Sequence, residues 1–348
     1  MKDNGDEVKS EVRSEVRSLK FERPMLLAGD IGGTKTLLGI FDPAHARPRP
    51  IGVRSFGTLD YDDLTTMIAA FRKEDEVAAG PIETACFGVA GPVIGESATM
   101  TNIPWRIDAR RVREAFEFRR VTLLNDLEAM AYSIPVLRDD EMHVLQQGEA
   151  SSTGNIALIA AGTGLGEALL HRVDGRYIAS PTEAGHADFA ARTERELDMV
   201  RDLTARFGRV DVERVISGRG LAVVHTFAHK QPCKAGVDVE DPDAPAIISR
   251  AALDRRCSGC VETLDLFVEA YGAEAGNLAL RTVATGGVFI GGGIAPKILP
   301  ALAAGSFMRA FNAKDPLEPL VERMPVKVIL NSEAGLLGAA VYASARAT

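Results

Sequence analysis

Two short stretches of this chain place the same residue types where an anion could be held. Leu26–Phe41 reads LLAGDIGGTKTLLGIF, and Ile156–Leu170 reads IALIAAGTGLGEALL. Each is an apolar strand, a tight Gly/Thr turn and a second apolar strand. The first turn is Gly29-Asp30-Ile31-Gly32-Gly33-Thr34-Lys35. Gly32 and Gly33 allow backbone N–H groups close to an anion, Thr34 adds a hydroxyl and Lys35 a cation. Asp30, at a strand end, can hold Mg²⁺ directly or through water. The second turn, Gly162-Thr163-Gly164, repeats the amides and the hydroxyl. The chain contains no GxxxxGK[ST] loop. Gly162-Thr163-Gly164-Leu165-Gly166 is not a dinucleotide fingerprint either, because Glu167 and a strand-like run follow it where a helix is required. A plain β-hairpin turn uses the same residues. Two such turns in one chain point to a clamp on a phosphate chain, the layout of a nucleotide-dependent phosphotransferase.

Other residues can complete that chemistry. In VTLLNDLEAMA, Asn125-Asp126 stands where a buried strand hands over to a helix. A helix N-terminus stabilises a carboxylate there, and Asp also serves routinely as an N-cap. A carboxylate at a strand's C-terminal end is a suitable general base for a hydroxyl. Glu183 and His186 sit three apart in the small-residue loop PTEAGHADF, a carboxylate acceptor and an imidazole donor suited to hydroxyl-rich ligands. Glu213 lies in VDVERVISGRGLAVVH, where Val212, Val215 and Ile216 predict a helical face and Ser217-Gly218-Arg219-Gly220 a break. That break and Gly291-Gly292-Gly293 leave room for a flat adenosine ring. Cys257 and Cys260 form a lone CxxC, and Cys233, His225 and His229 make a zinc site conceivable. There is no second tight pair, and Arg255-Arg256-Cys257 reads as the start of a long helix. Free thiols in a reducing compartment are the expectation.

The elements that must position these residues alternate between strand and helix. Strands are expected at Met25–Ala28, Leu37–Phe41, Ile51–Phe56, Thr84–Val89, Val121–Leu124, Arg176–Ala179, Val288–Ile290 and Val326–Leu330. Helices are expected at Leu64–Phe71, Val112–Phe118, Leu127–Tyr132, Val261–Leu280, from Lys297, and at Gly335–Ala345. This pattern predicts an α/β fold with partly parallel sheets. Pro135 and the polar stretch Arg138–Glu141 read as a crossover to a second lobe, where the strand–turn–strand unit restarts. The expected division is a charged tail 1–24, a small α/β lobe 25–136 completed by the C-terminal helix 331–348, and a large α/β lobe 137–330. The two hairpins lie too far apart for a solenoid repeat. They fit two similar domains facing a cleft.

Composition sets the bounds. The chain has 348 residues, 46% apolar and 25% charged, which suits a globular protein of about two domains. Its formal net charge of −8 and lack of a basic block weigh against nucleic acid. No apolar run reaches a membrane span, and the N-terminal KSEVRSEVRSLK lacks a secretory core, so a cytoplasmic protein without membrane partners is expected.

Seven segments, in this order, resemble the bacterial glucokinase family of sugar kinases: GDIGGTK, TNIPW (Thr101–Trp105), LLNDLEA, AAGTGLG, TEAGHADF, ERVISGRG and FIGGGIAPKIL. The resemblance runs from Leu26 to the C-terminus. It implies the two-lobed actin-like ATPase (ribonuclease H-like) fold, with mixed sheets flanked by helices and an active-site cleft between the lobes. It implies ATP-dependent phosphorylation of the glucose 6-hydroxyl, with Mg²⁺ as cofactor and glucose and ATP as small-molecule partners. By the same resemblance, Asp126 is the catalytic base, and Asn125, Glu183, His186 and Glu213 bind glucose. Gly29–Thr34 and Gly162–Gly164 are the ATP phosphate loops, and Gly291–Gly293 lines the adenosine pocket. The family often forms homodimers.

The chain departs from the family's relatives in two places. The zinc motif CxCGxxGC of the related repressor and kinase group is absent, since His186 is followed by Ala-Asp-Phe-Ala-Ala-Arg. That points to the zinc-free glucokinase branch and away from Cys257 and Cys260 as metal ligands. Glu167 stands where a small or apolar residue is common, and a strand residue there can face solvent or cleft. Other readings are a kinase of fructose, mannose or an N-acetylhexosamine, a sugar-sensing regulator, and a chaperone-like ATPase. A regulator would carry a DNA-binding module, for which the tail is too short. A chaperone-like ATPase would need no sugar-binding set.

Overall fold

The computed structural model describes residues 24–43, 46–73, 81–100, 103–229 and 232–347. The N-terminal tail and the first two residues of TNIPW lie outside the described residues. The chain divides into two units, Met1–Val136 with Glu333–Thr348, and Leu137–Ser332.

Unit 1 begins with β1 (Met25–Ile31), β2 (Lys35–Asp42) and β3 (Arg49–Gly57), then α1 (Leu64–Phe71) and β4 (Ile82–Val89). A small sheet of β5 (Val93–Ile94), β6 (Ser97–Thr99) and β7 (Arg106–Asp108) precedes α2 (Ala109–Phe116), β8 (Arg120–Asn125) and α3 (Asp126–Ser133). The main sheet has the order β3-β2-β1-β4-β8. Central β1 is apolar on both sides because both faces are covered. Leu27 and Phe87 pack with Met67, Ile68 and Phe71 on one face, while Leu26, Ala28 and Cys86 pack with Leu336, Ala339 and Ala340 on the other. β1, β4 and β8 run parallel, so their C-terminal ends share one edge. Ile31, Val89 and Asn125 fall in register there.

Unit 2 contains β9 (Met142–Gln146), β10 (Ile156–Ala161), β11 (Leu165–Val173), β12 (Arg176–Pro181), α4 (Glu194–Phe207), α5 (Gly218–Ala228) and α6 (Ala244–Leu253). The long α7 (Ser258–Thr282), β13 (Gly287–Gly291), α8 (Ser306–Asn312) and β14 (Val326–Ile329) follow. The last helix, α9 (Ala334–Ala347), belongs to unit 1. The sheet order is β12-β11-β10-β13-β14-β9, with β10, β13 and β14 parallel. Buried Tyr271 of α7 fixes the end of β10: its hydroxyl accepts from Ala161 N at 3.2 Å and donates to Ile159 O at 3.3 Å.

One local expectation fails. Val212–Ile216 makes a single turn, closed by Ile216 N–H on Val212 O at 2.8 Å, and no regular helix. Ser217 starts a helix where a break was expected. Its Oγ accepts from Gly220 N at 2.9 Å, the N-cap geometry that Ser favours. The apolar spacing at 212, 215 and 216 reflects burial of a turn. Among the described residues no helix is long and apolar enough to cross a membrane.

Candidate active site

In unit 1 the first Gly/Thr turn closes the β1–β2 hairpin. Ile31 pairs with Thr36 in register, and Gly32 N–H donates to Lys35 O at 3.1 Å. The turn is braced from behind by Thr58, a residue with no motif around it. Thr58 N–H donates to Thr34 O at 3.0 Å, and its hydroxyl donates to Gly32 O at 2.8 Å. The buried Thr36 hydroxyl lies 2.9 Å from the Thr58 hydroxyl oxygen, whose own proton goes to Gly32 O, and so donates to it. Two bonds thus hold the carbonyls of Gly32 and Thr34, and the Thr36 hydroxyl supports the second of them.

Asp30 and Asn125-Asp126 sit at the same edge of this sheet. Asn125 is the N-cap of α3, its Oδ1 accepting from Leu127 N at 3.0 Å. Asp126 is the first helical residue, and its Oδ1 also receives the Leu127 N–H, at 2.9 Å. The capping role that Asp126 might have filled therefore falls to Asn125. Partial burial of Asp30 raises its carboxyl to about 6, the Asp126 charge raises it further, and Lys35 opposes both. Asp30 also packs on the first turn of α9, where a Cβ at Gly335 would stand 2.7 Å from its Oδ2. Only glycine leaves that space, and the helix N-terminus favours the anion. A pair of neighbouring carboxylates beside a cation and free amides is a setting for a divalent ion.

In unit 2 the second turn closes β10–β11, with Ala161 opposite Leu165 and Gly162 N–H donating to Gly164 O at 2.8 Å. Glu213 lies directly against it. Its Oε2 accepts from Leu165 N at 2.9 Å, and a Cβ at Gly164 would come within 2.5 Å of that oxygen. Glu213 N–H donates to Gly185 O at 2.8 Å, which ties it to the turn carrying Glu183 and His186. His186 is exposed, its Nδ1 3.9 Å from Asp211 Oδ2, and Arg209 Nη2 holds its carbonyl at 2.6 Å. Gly218, in the first turn of α5, donates to Gly162 O at 2.8 Å. Gly291–Gly293 follows β13, parallel neighbour of β10, and Ile294 N–H donates to Ala161 O at 3.2 Å. Unit 2 therefore gathers Gly162–Gly164, Glu183, His186, Glu213 and Gly291–Gly293, while unit 1 gathers Gly29–Lys35, Asn125 and Asp126.

Glu167 faces the protein interior. It is fully buried, both carboxylate oxygens lack a hydrogen bond among the described residues, and Arg281 Nη1 stands 4.0 Å away. Burial and the Glu274 charge push its carboxyl up to about 8 against the pull of Arg281. All four cysteines are free thiols, as expected, and three of them, Cys233, Cys257 and Cys260, converge with His229.

A family model described as Glucokinase matches residues 27–346. The glucokinase of Nostoc punctiforme is 39% identical over 340 residues, covering 92% of this chain and 99% of that protein. The crystal structure of a glucokinase from an Antarctic psychrotroph is similar with a TM-score of 0.82 at 28% identity, covering 92% of this chain and 99% of that one. A ROK family glucokinase from Streptomyces griseus, solved with glucose and AMPPNP, shares the fold with a TM-score of 0.61 at 22% identity, covering 92% and 99%. Sheet order, paired hairpins and these likenesses define a sugar kinase of the actin-like ATPase fold. Within that class, the chain belongs to the glucokinase family.

Proposed function

We propose that this chain makes glucose 6-phosphate from glucose and ATP, with Asp126 as the general base. Family membership supports the reaction. The observation that carries the residue roles is the seat of Glu213: one carboxylate is hydrogen-bonded to the strand leaving the second turn and tied to the turn of Glu183 and His186. A residue fixed in that way can align a sugar hydroxyl relative to a phosphate loop. Asn125, Glu183, His186 and Glu213 hold the sugar. Asp126 takes the 6-hydroxyl proton as the oxygen bonds to the γ-phosphorus and the bond to the β-phosphate oxygen breaks, releasing ADP. Gly29–Lys35 and Gly162–Gly164 present amides and hydroxyls to the phosphates, and Gly291–Gly293 makes room for adenosine. Asp30 would hold Mg²⁺, directly or through water, and the ion would neutralise phosphate charge when bound. Alignment of this kind is worth roughly 7–11 kcal/mol.

A matrix of sugars against phosphoryl donors tests the reading. Glucose with Mg-ATP is expected to give the highest kcat/KM, with stoichiometric ADP. A higher kcat/KM for fructose, mannose or an N-acetylhexosamine would overturn the choice of acceptor. Sugar-independent ATP hydrolysis as the main activity would overturn the kinase reading.

A further inference from the structure

The cysteine and histidine cluster of unit 2 stands apart from every residue assigned above. Cys257 is the N-cap residue of α7 and Cys260 lies in its first turn. Cys233 comes from the segment after α5, and His229 is the C-cap of α5. Cys233 Sγ lies 3.8 Å from Cys257 Sγ and 3.6 Å from Cys260 Sγ, and His229 Nε2 lies 3.2 Å from Cys257 Sγ. A tetrahedral zinc ion with bonds of about 2.3 Å to sulfur and 2.0 Å to nitrogen has ligand edges of about 3.8 Å and 3.5 Å. The two Cys233 sulfur–sulfur separations, 3.8 Å and 3.6 Å, match the sulfur edge, and His229 Nε2 at 3.2 Å from Cys257 Sγ is slightly closer than the mixed edge. His229, Cys233 and Cys260 also belong to a group whose donor atoms all lie within 4.8 Å of one another, with His225 in the place of Cys257; the direct 3.2 Å and 3.8 Å approaches of Cys257 to His229 and Cys233 favour Cys257 as the fourth ligand.

We propose that Cys233, Cys257, Cys260 and His229 Nε2 form a structural zinc site that fastens the end of α5 to the start of α7.

Three further features show a built site. His229 Nδ1 lies 3.2 Å from His225 O. Donating a proton there orients the ring and frees Nε2 for the ion, the usual outer partner of a metal-bound imidazole. Gly259, between the two cysteines of the CxxC, is the only residue type that fits, since a Cβ would collide with the His229 ring. His225 is 4% exposed and packs on His229 at 3.8 Å between centroids, and among the described residues neither of its ring nitrogens has a hydrogen-bond partner. Cys257 and Cys260 stand at the N-terminus of the long α7, which favours thiolates. On binding, the three thiols release their protons to solvent and the imidazole binds neutral.

The site would brace one end of α5, whose other end donates Gly218 N–H to Gly162 O. The test uses the full chain purified anaerobically without chelator or metal-affinity resin, with metal content by mass spectrometry and cobalt substitution. Wild type is expected to hold about one zinc per chain, and Cys233→Ser or Cys260→Ser to hold below about one tenth. The cobalt form should show tetrahedral visible bands with charge transfer from three thiolates. Zinc removal should lower the melting temperature, and re-addition should restore it. Wild type without zinc and without a cobalt–thiolate spectrum overturns the proposal, whatever the variants do. A Cys233–Cys260 disulfide in the anaerobic protein overturns it too. A two-thiolate spectrum unchanged by Cys257→Ser overturns the ligand set.

Discussion

The two Gly/Thr hairpins are alike in strand and turn but not in what surrounds them. Each closes with the first glycine's N–H on a carbonyl across the turn, and the first turn is one residue longer. The first is backed by the Thr36 and Thr58 hydroxyls and flanked by Asp30, Lys35 and Asp126. The second is backed by a helix start at Gly218 and flanked by Glu213. The local motif supplies amides in both. Its neighbours decide what else it can do: carboxylates that can attend a metal and a proton in unit 1, a carboxylate that can attend a sugar in unit 2. On the proposed function, a hairpin of this kind serves as a phosphate platform and the elements packed behind it supply specificity.

Substitutions on each side test that division. Asp126→Asn should lower kcat by about 10²–10⁴, with glucose binding by calorimetry retained; a kcat near wild type would remove the base from unit 1. Asp30→Asn should raise the Mg²⁺ concentration for half-maximal rate by about 10- to 100-fold, read from a metal titration. Its stability effect has the opposite sign. The folded carboxyl, at about 6, lies above the ordinary 3.8, so the folded chain binds that proton more tightly and loses stability as pH rises across that window. The Asn variant should therefore melt higher than wild type at pH 7, with the gap closing near pH 4. Glu213→Gln keeps an acceptor for Leu165 N–H but removes the charge, and KM for glucose should rise about 10- to 100-fold, with KM for ATP moving less. A change confined to ATP would reverse the contrast between the turns.

Smaller effects are expected behind the turns. Glu167 has its carboxyl raised from 4.5 to about 8 by burial, so it too withdraws stability as pH rises through that range. Glu167→Leu should stabilise by about 1–3 kcal/mol at neutral pH, with the gap in melting temperature widening from pH 5 to 8 and level beyond. Thr58→Val removes the hydroxyl under the first turn and should cost about 1 kcal/mol, with a few-fold rise in KM for ATP.

Much of the architecture is legible along the chain. The helix at Leu64–Phe71 matches the spacing of its apolar residues, and the strand runs ending at Ile31, Val89 and Asn125 are apolar because both sheet faces are covered. The spacing at Val212–Ile216 predicts a helix where a turn forms, because a buried turn and a helical face share that spacing. Thr58 carries no signal, since its role arises from β3 ending beside the β1–β2 turn. The site residues were named by the order of short motifs, and their spacing alone distinguishes no role.

By itself, the sequence determined the α/β class, the paired hairpins and the family, because periodicity, turn chemistry and motif order are written in neighbouring residues. The burial of Glu167, the transfer of the helix cap from Asp126 to Asn125, the bracing by Thr58 and the meeting of three thiols with an imidazole were decided only by tertiary structure. Each depends on which distant segment packs against a side chain, and that follows from the burial of whole sheet and helix faces.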